Sequence, residues 1–149
     1  AVDECGSRAE VRFLGKLPRD ELSCLYRACE LLLFPSLVEG FPYTLLEAMS
    51  CRAPIVCSCV PAMPETCGDA ALYFDPEDIE DMAQQIVRAL LDSDLRAVLS
   101  ETGSKRILGM PSEPEVAEVI LALCEGKKVV ARESRTSPPV GKVNLMRKN

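Results

Sequence analysis

The 149-residue chain contains no histidine, and no apolar run in it reaches the length of a membrane-spanning helix. Without histidine, zinc sites built from cysteine and histidine are excluded. There is also no basic excess: 17 Lys and Arg against 23 Asp and Glu give a net charge of −6, which disfavours nucleic acid as a partner. Residues 1–4 have neither the basic end nor the apolar run of a signal peptide, so we expect a cytoplasmic protein.

Cysteine is abundant, and the even count of eight raises the question of disulfides. Several of these residues, Cys24, Cys29, Cys51 and Cys57, fall within apolar patterns, and a chain that is 48% hydrophobic can build a core without cross-links. The Cys57-Ser58-Cys59 spacing is too short for the usual zinc pair. We therefore expect reduced thiols and no metal, with redox sensitivity or one incidental disulfide as the alternative.

Apolar strands alternate with helical patterns along the chain, which predicts an α/β fold with a parallel sheet and helices on both faces. The predicted strands are 11–15, 31–34, 54–57 and 70–74, of which 31–34 and 54–57 are continuous apolar runs typical of strands buried on both faces. The predicted helices are 18–29, 42–49, 77–91 and 94–107, and a short helix precedes the last strand. Residues 58–66, with Pro61 and Pro64, are expected to form a loop.

This pattern divides the chain into a leading segment over 1–10, a domain over 11–108, an additional helix within 109–125 and a disordered tail over 126–149. In the helix over 77–91 the apolar residues share one face: Ile79, Met82, Ala83, Ile86, Val87 and Leu90. Ligands bind such sheets at the carboxyl ends of the strands. The loops 15–18, 35–42 and 58–64 are predicted to meet there.

The loop 35–42 leads directly into a helix and carries the residues with the clearest chemistry. Pro42 suits the first helical position, and the next three amides then lack a carbonyl one turn back. With the helix dipole behind them, the amides of Tyr43, Thr44 and Leu45 form a site for a phosphate or another anion. Gly40 lets a ligand approach the backbone closely.

The sequence Pro35-Ser36, two residues, Glu39-Gly40-Phe41-Pro42 and then Leu45-Leu46-Glu47-Ala48-Met49 resembles the donor-site motif of retaining GT-B glycosyltransferases, the group called group 1 or family 4. Its mark is two glutamates separated by seven residues, here Glu39 and Glu47. The resemblance covers about residues 11–106. It implies a Rossmann-like half of a GT-B fold, truncated at its amino-terminal side, that transfers a hexose from a nucleoside diphosphate sugar with retention and without a metal or other cofactor.

The resemblance also implies roles for particular residues. Glu47 would accept hydrogen bonds from the ribose, and Glu39, the catalytic candidate, would hold hydroxyls of the donor sugar without acting as a nucleophile. The remaining donor-binding candidates are Gly40, Phe41, Tyr43, Thr44 and Leu45, and the nucleobase would lie against Lys16 and Leu17. At position 52, where the family usually has glycine, this chain has Arg52.

In the family, two further strands, a basic glycine-rich turn and an acceptor-binding domain precede the matching part. The resemblance therefore implies a partner for this chain, either a missing amino-terminal domain or a second copy, and we expect no activity without it. The acceptor would be a glycan, a lipid or a small molecule, and a lipid acceptor would place the protein at the inner membrane surface. The alternatives are a non-catalytic nucleotide-sugar-binding or regulatory fragment and a nucleotide-sugar epimerase of the same architecture.

Overall fold

The computed structural model describes residues 11–111, 114–115, 118, 121 and 124. Its sheet has three strands, β1 (Leu32–Phe34), β2 (Ile55–Ser58) and β3 (Ala71–Phe74), in the order β1-β2-β3. All pairs are parallel, with Leu32 opposite Ile55 and Ile55 opposite Ala71. Because neighbouring parallel strands are joined through helices, this is a Rossmann-like α/β fold, as the sequence predicts.

Within residues 11–111, five α-helices pack around the sheet: α1 (Arg19–Ala28), α2 (Tyr43–Ser50), α3 (Ala62–Cys67), α4 (Ile79–Leu91) and α5 (Ser93–Leu108). A 3-10 turn, Gly68–Ala70, follows α3. The last two helices begin at aspartates that cap them: Asp78 accepts hydrogen bonds from the amides of Glu80 and Asp81, and Asp92 accepts one from the amide of Leu95. These caps explain why α4 and α5 start within two residues of the predicted positions.

The central strand separates two cores. Ile55 and Cys57 on one face of β2 pack in the same apolar cluster as Met49 of α2. Val56, on the other face, packs with Ala89 of α4. Every residue of β2 is buried, so the expectation of burial on both faces is correct for this strand.

The predicted strand over 11–15 is wrong, and the expected burial of 31–34 holds only in part. Residues 11–15 form no strand, and Phe13 is 89% exposed. A strand needs a hydrogen-bonded neighbour. In the described part of the chain the sheet ends at β1, which pairs only with β2, and residues 11–15 pair with no strand. As an edge strand, β1 leaves Leu33 39% exposed.

The predicted loop over 58–66 is also wrong at its end, because α3 occupies Ala62–Cys67. Pro61 already has helical backbone angles, and Pro64 lies in the first turn, where an amide would have no intrahelical acceptor. At the other end of α3, the Arg106 guanidinium donates to the carbonyls of Thr66 at 2.5 Å and Glu65 at 2.7 Å. The short helix predicted before the last strand is thus present, and α5 satisfies its final carbonyls.

The seven cysteines in the described part of the chain are free thiols, and Cys5 lies outside that part. A hydrogen bond with Cys67 and burial raise the pKa of the Cys57 thiol, so it stays protonated in the core. The prediction that Cys24 belongs to the core is wrong: it lies on the outward side of α1, whose buried residue is Tyr26.

Other expectations reach beyond the described residues. An additional helix is predicted within 109–125. Residues 109–111 are not helical, and the described positions 114, 115, 118, 121 and 124 are. The leading segment 1–10 and the tail 126–149 lie outside the described residues. Within the part that is described, no helix has the length and apolar character needed to cross a membrane.

Candidate functional site

The loop 35–42 leaves the carboxyl end of β1 and enters α2, as predicted. Its side chains at Val38 and Phe41 are exposed, whereas Pro42 at its end is fully buried, so packing fixes the end of the loop and does little for its middle. Two hydroxyl groups hold its first half. The Ser36 hydroxyl donates to the Val38 carbonyl at 2.9 Å, and the hydroxyl of Ser58, the buried last residue of β2, donates to the Ser36 carbonyl.

The helix start differs from the prediction. Pro42 is not the first helical residue: it precedes α2 with a ψ of 72°, which is not helical. This turn lets the Tyr43 amide donate to the Phe41 carbonyl and the Leu45 amide to the Pro42 carbonyl, both at 3.0 Å. Two of the three amides expected to be free therefore have partners. Among the described residues no group accepts a hydrogen bond from the Thr44 amide, so this one is available to an anion.

The side chains around this amide differ in what they can offer a ligand. Leu45 is fully buried, so its side chain is out of reach. Phe41 and Tyr43 are both exposed, and their rings meet edge to face with centroids 4.7 Å apart. Together they form an aromatic wall beside the start of α2.

Next to that wall, Gly40 leaves open space. A Cβ atom added there would meet nothing within 4 Å, and the backbone is not in the left-handed region. Neither packing nor conformation within the described residues requires a glycine at this position. The preceding residue, Glu39, is half-buried.

Glu47 is exposed on α2. It lines a pocket of about 150 Å³ between α1 and α2, together with Arg19, Ser23, Tyr26 and Ser50. Tyr26 is only 8% exposed; its burial, and after that the charge of Glu47, raise the pKa of the phenol. The pocket thus joins a carboxylate, a guanidinium and a neutral phenol.

Arg19 and Tyr26 line this pocket, and the sequence did not reveal them as candidates. Tyr26 follows the helical period of α1 and reads as core, and Arg19 is one of several charges near the start of that helix. Only the packing of α1 on α2 brings either residue to the pocket that contains Glu47. No local pattern carries that information, because the two helices are separated by the whole of β1 and its loop.

Lys16 and Leu17, the predicted nucleobase residues, precede α1. Lys16 is exposed, and Leu17 lines a separate apolar groove with Leu14, Cys24 and Leu25. This groove and the pocket at Glu47 share no lining residue. The structure therefore does not bring these two residues into one pocket with Glu47.

The arrangement suits the binding of a hydroxyl-rich anion. Glu39 and Glu47 are acceptors for hydroxyl groups, and the free Thr44 amide at the amino end of α2 is a donor for a phosphate oxygen. No group of three or more His, Cys, Asp or Glu side chains able to hold a metal ion occurs among the described residues.

Comparisons with known proteins identify the family of the chain. Residues 1–106 match the family model described as glycosyl transferases group 1. Over 93 residues the chain is 41% identical to O-antigen chain mannosyltransferase B from Escherichia coli, covering 62% of this chain and 24% of the relative. Over 136 residues it is 34% identical to MMP alpha-(1->4)-mannosyltransferase from Mycolicibacterium hassiacum, covering 88% of this chain and 32% of the relative.

Among solved structures, sucrose-phosphate synthase from Thermosynechococcus elongatus is similar with a TM-score of 0.69 and 26% identity, over 77% of this chain and 29% of that one. The Rossmann-like sheet and this neighbour give the chain the fold class of the GT-B glycosyltransferases. The chain belongs to the group 1 glycosyltransferase family. It spans about a quarter to a third of the length of these relatives.

Proposed function

We propose that this chain forms the donor-binding part of a retaining hexosyltransferase of the family 4 type, which uses a nucleoside diphosphate sugar and no metal. In this proposal the loop 35–42 and the start of α2 hold the donor. Glu39 binds hydroxyls of the transferred sugar, with the backbone at Gly40 and Phe41 beside it, and Glu47 binds the ribose. The observation that supports the proposal is that the loop carrying Glu39 leads into the helix carrying Glu47, and that the Thr44 amide at this helix start has no acceptor among the described residues.

In this proposal the diphosphate binds at the Thr44 amide. An N–H group at the amino end of a helix points at an anion, and the helix dipole favours negative charge there. The same interaction stabilises the charge that develops on the leaving diphosphate during sugar transfer. Because Tyr43 and Leu45 direct their amides to carbonyls of the chain, we assign them a supporting role around that donor rather than direct contact.

Two carboxylates near a diphosphate repel it unless positive charge offsets them. Arg19 supplies one such charge in the pocket that contains Glu47. A further source is a partner: an amino-terminal domain of a longer protein, or a second copy. We propose that sugar transfer requires this partner, and that the acceptor is a glycan, a lipid or a small molecule bound on its side of the cleft. Cytoplasmic localisation remains part of this proposal.

The test is binding of UDP, GDP and ADP conjugates of glucose and mannose to the purified chain by calorimetry. Glu39→Gln and Glu47→Gln should each weaken binding about ten- to hundredfold, because each removes a charged hydrogen-bond acceptor. The matched control is Glu80→Gln, an exposed glutamate on α4 at the opposite face of the sheet.

Binding that all three variants retain would refute the donor site. It would favour the alternative, a regulatory fragment that kept the fold and lost the chemistry.

A further inference from the structure

The link between Ser58 and the loop 35–42 joins two separate strands. Phe34, the last residue of β1, lies opposite Cys57, so Ser58 lies one position beyond the end of β1. From there its hydroxyl donates to the carbonyl of Ser36, 22 residues earlier in the chain. Ser58 itself is fully buried and is the last residue paired with β3.

This bond acts on a part of the chain that has few other contacts. The side chains of Leu37 and Val38, which follow Ser36, are exposed. The Ser36 hydroxyl continues the restraint by donating to the Val38 carbonyl at 2.9 Å. The two bonds thus run from the core of the sheet to the residue immediately before Glu39.

We propose that Ser58 is a positioning residue, which fixes the backbone that carries Glu39 and Gly40 by holding the Ser36 carbonyl. The inference rests on the proposed function of Glu39, and the tether can be tested without it. Since the donor must meet Glu39 and the Thr44 amide at the same time, a loop that is already ordered binds it at a lower entropic cost. Ser58 would set donor affinity although it touches no donor atom.

The first measurement is made on the ligand-free chain by NMR relaxation. In Ser58→Ala, the backbone order parameters of residues 37–41 should fall, while those of 45–49 in α2 should stay unchanged. Ser58→Cys keeps the size of the side chain with a weaker donor, so it should give an intermediate result. The matched control is Thr66→Val, which removes another buried hydroxyl, on α3, and should leave the loop unchanged.

The second measurement is the dissociation constant of whichever nucleoside diphosphate hexose the unmodified chain binds. Ser58→Ala should weaken it by about five- to twentyfold, with Ser58→Cys in between and Thr66→Val equal to the unmodified chain. Unchanged order parameters together with unchanged affinity in Ser58→Ala would overturn the proposal.

If the unmodified chain binds no donor, the proposed function fails, and the relaxation data still decide whether Ser58 holds the loop. Lower order in residues 37–41 would then support the tether, and unchanged order would refute it.

Discussion

Replacing Arg52 by glycine should stabilise the protein at the end of the helix that carries Glu47. Arg52 has a φ of 64°, in the left-handed region, and the amides of Arg52 and Ala53 donate back to Met49 and Ala48 at 3.0 Å. These two bonds form a Schellman motif, whose left-handed position usually holds glycine. A side chain there costs about 1 kcal/mol relative to glycine because its Cβ crowds the following carbonyl.

The substitution also removes an ion pair between Arg52 and Glu101, whose side chains are 61% and 49% exposed. An exposed pair contributes little, and Glu101 keeps a second partner in Lys105 at 3.4 Å. The informative comparison is therefore Arg52→Gly with Arg52→Ala, since both lack the guanidinium and both keep the Arg52 carbonyl, which accepts a hydrogen bond from Ser100.

Urea unfolding followed by circular dichroism should show Arg52→Gly about 1 kcal/mol more stable than Arg52→Ala, with equal m-values. In thermal unfolding the same difference corresponds to about 3 to 5 °C. Equal stability of the two variants would refute the left-handed strain. A glycine variant less stable than alanine would show that the entropy of the unfolded chain dominates at this position.

Three further substitutions test neighbouring contacts. Gly68→Ala should destabilise by about 2 to 3 kcal/mol in chemical unfolding, because φ is 55° and the new Cβ would lie 2.8 Å from an Arg106 nitrogen. Arg106→Lys should cost about 1 kcal/mol in the same assay, since an ammonium cannot match the guanidinium bonds to the Thr66 and Glu65 carbonyls. Burial, and then the nearby thiols, raise the pKa of Tyr73 above its ordinary value of 10.0, so the stability it contributes is present below pH 10 and declines as the pH rises further. Tyr73→Phe should therefore lose about 1 kcal/mol at neutral pH, through the missing bond to the Gly68 carbonyl, and show a flatter decline in alkaline unfolding curves.

Local sequence patterns correctly predict the strands and helices whose packing partners lie within the described residues. The apolar run predicted at 54–57 corresponds to the buried central strand β2, Ile55–Ser58, and the aspartate-capped helices α4 and α5 begin close to the expected positions. The run at 11–15 has a similar composition and forms no strand. The difference is the neighbour: Ile55 has β1 and β3 beside it, and no described strand stands beside Phe13. Composition predicts the tendency to pair, and the pairing itself depends on residues far away in sequence.

Helix faces show the same limit. The six apolar residues of α4 were assigned to one face, yet Met82 and Ile86 pack against the sheet while Ile79, Val87 and Leu90 are exposed. The apolar face of α4 is wider than the surface of the sheet that it covers. The apolar period therefore predicts the helix, but it does not predict which of its apolar residues contact the sheet.

For the candidate site, the loop and both glutamates were identified from sequence as a contiguous motif. The ψ of Pro42, which removes two of the three free amides, is a backbone angle that the sequence does not encode in any simple pattern. Arg19 and Ser58 were missed because both reach the site through tertiary packing. The motif therefore predicts the candidate ligand-binding groups, and it does not predict the residues that pack around them or hold their backbone in place.

The bonds from α5 to the two earlier helices have a consequence for the order in which the molecule folds. The Arg106 side chain reaches carbonyls 40 and 41 residues earlier in the chain, and Ser100 reaches the turn after α2 across 48 residues. Closing loops of this length must be offset by contacts that form only when α5 docks. We expect α2 and α3 to acquire their final ends late in folding. Substitutions at Ser100 and Arg106 should then act mainly by accelerating unfolding, with little effect on the folding rate.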